Sequence, residues 1–129
     1  MQSSKALKRI TGCLNRSECP LANTLDLIGD KWTLLVIRDM LFLQKRLFNE
    51  FLESPERIAT NILTERLKRL EEYGIVERRP YQKAPVRFEY LLTRRGEDLR
   101  PIMLEMVRWG NAHIQGTIVP PKKFLKNRT

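Results

Sequence analysis

Cysteine and histidine are scarce in this chain: Cys13, Cys19 and His113 are the whole supply in 129 residues. Their spacing matches no zinc-ligand pattern, so no metal site is expected. Glycine numbers only six, and none of these builds a phosphate-cradling loop after a strand. No Ser-His-Asp set and no His-Glu-x-x-His stretch is present. These absences argue against an enzyme and against a bound cofactor. The longest apolar run is far too short to span a bilayer. The N-terminus is basic but lacks the continuous apolar stretch of a secretory signal. The expected compartment is therefore the cytoplasm, with no membrane partner, and there the two thiols stay reduced by default. Acidic residues are also in the minority: 15 Asp and Glu face 24 Lys and Arg, a net charge of +9.

What is present fits a globular protein, with 42% hydrophobic and 30% charged residues. A chain this small makes one domain with a modest core and leaves apolar surface for a partner. The expected division is a basic arm at 1–18, a folded domain at 19–118 and a basic tail at 119–129. The arm carries +3 and the tail +4, and residues 57–95 carry +5 from ten Lys/Arg and five Glu. Such charge is either a phosphate-binding footprint or ordinary solubilising charge. Its placement has to be read against the local pattern.

Leu21, Leu25 and Ile28 form a short helical stripe that Gly29 ends. Asp30 is a plausible N-cap for a second helix through Leu41, apolar on most sides and so the expected central core helix. Lys45 to Phe48 is expected as a short third strand of a wing sheet, followed by a short helix holding Phe48, Phe51 and Leu52 and a turn at Ser54, Pro55 and Glu56. Ile62, Leu63, Leu67 and Leu70 recur at helical spacing over 59–73, and Gly74 stands where a left-handed C-cap is wanted. Ile75 to Tyr81 and Arg87 to Thr93 suit two strands joined by a tip at Lys83, Ala84 and Pro85. Thr93 is expected to cap a long final helix with an apolar face at Leu99, Ile102, Met103, Met106, Trp109 and Ile114, kinked or restarted at Pro101. A helix followed by a basic two-stranded ribbon is the reading half of a winged helix-turn-helix, a mainly α fold with a small antiparallel β wing.

Four blocks, in order, resemble the HxlR-type regulators, a bacterial winged-helix group related to the MarR type. They are Cys19-Pro20 with Leu25 to Trp32; Arg46 to Phe51; Leu63 to Leu67 with Leu70, Glu71 and Gly74 to Val76; and Pro85-Val86, Glu89-Tyr90, Leu92-Thr93, Gly96, Pro101 and Trp109. Asp30 stands where the family usually shows Gly, and Ala59 where members often carry Ser. Ala has no side-chain acceptor, so Thr60 is the alternative cap. The resemblance implies a dimeric transcriptional regulator that binds operator DNA. It also implies that the Cys19 position can detect oxidants or electrophiles in some members.

The expected contacts to double-stranded DNA follow. The reading-helix face opposite Leu63, Leu67 and Leu70 offers Thr60, Asn61, Thr64, Glu65 and Lys68. Asn pairs with adenine, Thr meets the thymine methyl, and Glu accepts from cytosine N4. The bland alternative is a solvated face with Glu65–Arg69 and Lys68–Glu72 pairs. Lys83 and Arg87 flank the wing tip and suit phosphate or minor-groove contact, whereas Arg78 and Arg79 face opposite sides of a strand. Leu99, Ile102, Met103, Met106 and Trp109 are expected to form a homodimer interface that sets two reading helices one DNA turn apart. Cys19 and Cys13 are the one suggestion of a sensor, against the bland reading of a small semi-buried residue at the domain entrance. Nothing in the residues names a small-molecule effector. Two other readings stay open: a winged helix used for protein–protein contact, and an RNA or non-specific nucleic-acid binder.

Overall fold

The computed structural model describes residues 10 and 17–124. Cys13 and most of the basic arm, and Lys126 and Arg128 of the tail, lie outside the described residues. The elements run α1 (Pro20–Ile28), α2 (Lys31–Phe42), α3 (Phe48–Leu52), α4 (Thr60–Glu72), β1 (Val76–Lys83), β2 (Val86–Leu92), α5 (Arg94–Glu97) and α6 (Arg100–His113), with a 3-10 turn at Lys122–Phe124. The architecture is a mainly helical winged helix-turn-helix.

Helix α2 forms where expected because Asp30 caps it, accepting from Thr33 N at 3.0 Å and Thr33 Oγ1 at 2.6 Å. It is the spine of the core: Val36, Ile37, Met40, Leu41 and Phe42 are buried along it. Phe51 of α3, Leu63, Leu67 and Leu70 of α4, and Met103 and Leu104 of α6 close around it. Each such side chain contributes about 1.5–3 kcal/mol by leaving water. Gly74 ends α4 with φ 72°, the left-handed conformation that glycine adopts without strain.

The wing is one antiparallel pair, with Val76 opposite Leu92 and Lys83 opposite Val86 and a register shift between Pro80 and Gln82. Among the described residues the expected third strand at Lys45 to Phe48 does not form. The Glu50 carboxylate accepts from the backbone N–H of Arg46 at 2.8 Å and of Leu47 at 2.9 Å, which draws that segment into the start of α3. A single backbone bond, Tyr90 N to Arg46 O at 2.8 Å, is what remains of the ladder.

Thr93 caps only the four-residue α5, accepting from Gly96 N at 3.2 Å, and the chain restarts at Arg100 with Pro101 in the first turn of α6. The Thr93 hydroxyl also donates to Gly74 O at 2.6 Å, and Thr93 N donates to Ile75 O at 3.0 Å. Arg95 adds a bond to Tyr73 O at 2.7 Å. The end of α4, the root of the wing and α5 are thus bonded together. Arg100, buried to 6% exposure, donates to Leu41 O at 3.0 Å and ties α6 to the last turn of α2.

Candidate nucleic-acid interface

Helix α4 has two sharply different sides. Leu63, Leu67 and Leu70 are at most 2% exposed, whereas Thr60, Asn61, Thr64, Glu65 and Lys68 are all exposed. The helix begins on Ala59 in extended backbone, with no side-chain cap. Thr60 is therefore the first helical residue and not the alternative cap. Its backbone carbonyl accepts from Thr64 Oγ1 at 2.9 Å. The Asn61 amide has no protein partner among the described residues. Glu65 is engaged by Arg66 and by Arg69, the latter at 2.9 Å, so its i,i+4 pair forms. The Lys68–Glu72 pair expected at the same spacing does not form among the described residues.

Asp30 links this helix to the core. Besides capping α2, it accepts from Arg66 Nε at 2.9 Å. Burial pushes its carboxyl up, but hydrogen bonds from Thr33 and Arg66 outweigh this and hold it at about 2. A second tether was not visible in the sequence pattern. Asp39, 2% exposed inside α2, is bonded by Arg38 at 2.7 and 3.0 Å and by the Ser54 hydroxyl. Lys45 donates to Ser54 Oγ at 2.8 Å and lies 3.7 Å from Asp39. Arg38 also grips both oxygens of Glu56, at 2.8 and 2.9 Å, and this grip raises its already high pKa while lowering that of Glu56. Ser54 and Glu56 form the turn into α4, so α2 sets where α4 starts. The one available signal was an Arg-Asp pair inside an otherwise apolar helix.

At the wing tip Lys83 and Arg87 are exposed and form no ion pair among the described residues. The two strand arginines are occupied. Arg78 lies over the Phe88 ring at 4.3 Å and 3.7 Å from Glu71 of α4, while Arg79 pairs with Glu77 at 3.1 Å. Arg57, exposed just before α4 with φ 59°, is a further cation that the sequence pattern did not single out.

On α6, Ile102, Met106 and Trp109 are 47%, 51% and 62% exposed, in a stripe that continues to His113, whose ring lies 4.8 Å from that of Trp109. Met103, expected on that face, instead points into the chain's own core, and Leu99 packs against the core as well. Leu21 and Leu25 of α1 are also exposed, at 66% and 54%. Cys19 is exposed rather than semi-buried, and it caps α1 with Sγ 3.4 Å from Ala22 N. The described residues hold no cluster of three or more His, Cys, Asp or Glu able to bind a metal. None of the described helices is long and apolar enough to cross a membrane.

A family model described as HxlR-like helix-turn-helix matches residues 27–117. The chain belongs to the HxlR-like family. Two similar proteins of Bacillus subtilis (strain 168) are named HTH-type transcriptional regulators, YybR and YdeP. YybR is 41% identical over 99 residues, covering 77% of this chain and 78% of YybR. YdeP is 38% identical over 95 residues, covering 74% of this chain and 73% of YdeP. The solved structure of the redox regulator HypR in its oxidised form is similar, with 40% identity and a TM-score of 0.66 over 74% of this chain and 97% of that one. This HxlR-like chain is accordingly a transcriptional regulator of the helix-turn-helix type.

Proposed function

We propose that this chain acts as a homodimer on an inverted-repeat DNA operator, with α4 reading bases and the wing tip holding backbone. The observation that carries the reading is the division of α4. Its apolar side is locked in the core, while Thr60, Asn61 and Thr64 stand exposed at the N-terminal end that helix-turn-helix proteins present to the major groove. Lys83 and Arg87, exposed and without ion pairs, supply cations for phosphate. Arg57 at the mouth of α4 adds a third. The homodimer reading rests on Ile102, Met106 and Trp109 of α6 and on Leu21 and Leu25 of α1, an exposed apolar surface that needs cover. A two-fold pair would set the reading helices about 34–36 Å apart, one turn of duplex.

Selection of the purified protein against a random duplex library at physiological salt tests this. An enriched inverted repeat is the expected result. Asn61→Ala should then relax preference at one or two positions, by about 1–3 kcal/mol each. Lys83→Ala should weaken all sequences alike and flatten the salt slope by about one unit. Enrichment of no sequence would instead favour a protein-contact module or a non-specific nucleic-acid binder. A thiol-responsive form of the same reading is supported by the exposed Cys19, two residues from Leu21 on the proposed dimer helix. It predicts that a mild oxidant changes operator affinity in the native protein and not in Cys19→Ser.

A further inference from the structure

The DNA-facing half of α4 carries a carboxylate, and a negative charge presented to phosphates needs a physical reason. Both Glu65 oxygens are held: Arg66 Nη1 donates to Oε1, and Arg69 Nη2 donates to Oε2 at 2.9 Å. The same guanidinium groups reach back to Asp30, Arg66 Nε donating to Oδ2 at 2.9 Å and Arg69 Nη1 lying 3.6 Å from Oδ1. Asp30 is itself fixed by the backbone and hydroxyl of Thr33. Two carboxylates and two guanidiniums thus close a ring that is anchored on α2 and ends on the exposed face of α4.

A lone Glu–Arg pair at this spacing would be an ordinary, mobile surface contact. The ring differs because each arginine has a second carboxylate from another helix, so Glu65 cannot swing without releasing both. Its charge is also balanced locally, which reduces repulsion from the DNA backbone. A carboxylate offers about four acceptor positions on its two oxygens. The arginines fill one on each oxygen, so each oxygen keeps a second acceptor position. Among the base donors in the major groove, the cytosine N4 amino group is the one that Glu accepts from.

Resting on the DNA-reading function proposed above, we infer that Asp30 is a positioning residue for base recognition. Through Arg66 and Arg69 it holds Glu65 as a preset acceptor for a cytosine amino group. The test is duplex selection with the native protein, Glu65→Gln, Asp30→Asn, Arg69→Gln and the Asp30→Asn/Glu65→Gln double variant. Asn caps a helix about as well as Asp, so Asp30→Asn retains the start of α2, and thermal unfolding checks this. Glu65→Gln should lose about tenfold of the preference for cytosine at one half-site position. Asp30→Asn and Arg69→Gln should each lose part of the same preference at that position alone. The double variant should lose no more than Glu65→Gln. The inference is overturned if Glu65→Gln or Asp30→Asn keeps the native base preference, if the losses spread evenly over all positions, or if the two substitutions add. A native protein that enriches no operator overturns the DNA-reading function itself, which is a separate failure.

Discussion

Replacing Asp39 should cost more stability than any other single polar substitution in the helix-turn-helix. The carboxylate is 2% exposed, accepts two N–H bonds from Arg38 and one from the Ser54 hydroxyl, and has Lys45 at 3.7 Å. Removing one member of a buried ion pair costs about 3–5 kcal/mol when the remaining charge is stranded. Here the stranding is incomplete. Arg38 keeps both bonds to Glu56 with its side chain 25% exposed, and the Lys45 side chain is 18% exposed and keeps Ser54. Both cations can regain some water, so the expected loss for Asp39→Ala is about 2–3 kcal/mol. Asp39→Asn retains the shape and one acceptor and should lose about half as much. For a chain of this size the alanine variant should melt about 8–12 °C lower. The assay is thermal and urea unfolding followed by circular dichroism, at one fixed protein concentration because the proposed self-association would shift the midpoint. An alanine variant melting within about 2 °C of the native protein would refute the argument that this network holds the turn into α4.

Gly96 admits no side chain, because a Cβ there would stand 2.4 Å from Ile75 O and 2.7 Å from Leu92 Cδ2. Gly96→Ala should destabilise by about 1–3 kcal/mol in urea unfolding, since a backbone oxygen cannot yield as a side chain can. The Asp30 carboxyl titrates at about 2 in the fold against an ordinary 3.8, so its contribution is present in full above about pH 4 and is lost as pH falls through 2. Much of that contribution is screened by solvent, leaving about 1 kcal/mol or less; stability measured from pH 5 to 2 should fall less steeply in Asp30→Asn than in the native chain. Trp109→Glu should convert the proposed dimer to monomer in sedimentation velocity while leaving the fold intact, because Trp109 is 62% exposed in the single chain. An unchanged dimer would remove α6 from the interface.

Three single-residue signals act as the sequence suggests, whereas Thr93 caps only the short α5 and not the long final helix. Asp30 caps α2, Gly74 closes α4 and Pro101 restarts the final helix because each acts through its own conformation or side chain. Competition between alternative backbone partners was not legible. Lys45 to Phe48 has strand-like residues, yet the Glu50 carboxylate captures two of its amides and the helix prevails. Met103 and Met106 belong to one apolar face by periodicity, but the tertiary structure buries Met103 in the core and leaves Met106 exposed. Of the candidate site, the exposed positions of α4 and the wing tip could be named from spacing alone. The networks around Asp30 and Asp39 could not, because each is completed by a distant residue, Arg66 lying 36 positions from Asp30 and Ser54 lying 15 from Asp39.

The two-sidedness of α4 has an evolutionary consequence. Foldability is vested in Leu63, Leu67 and Leu70, while Thr60, Asn61 and Thr64 contribute little burial. Substitution at those three surface positions is therefore nearly neutral for folding. If these positions read bases as proposed, a duplicated copy of such a gene can drift to a new operator without first losing its structure. By the same separation, an engineer can randomise these codons in a library and expect most clones to fold.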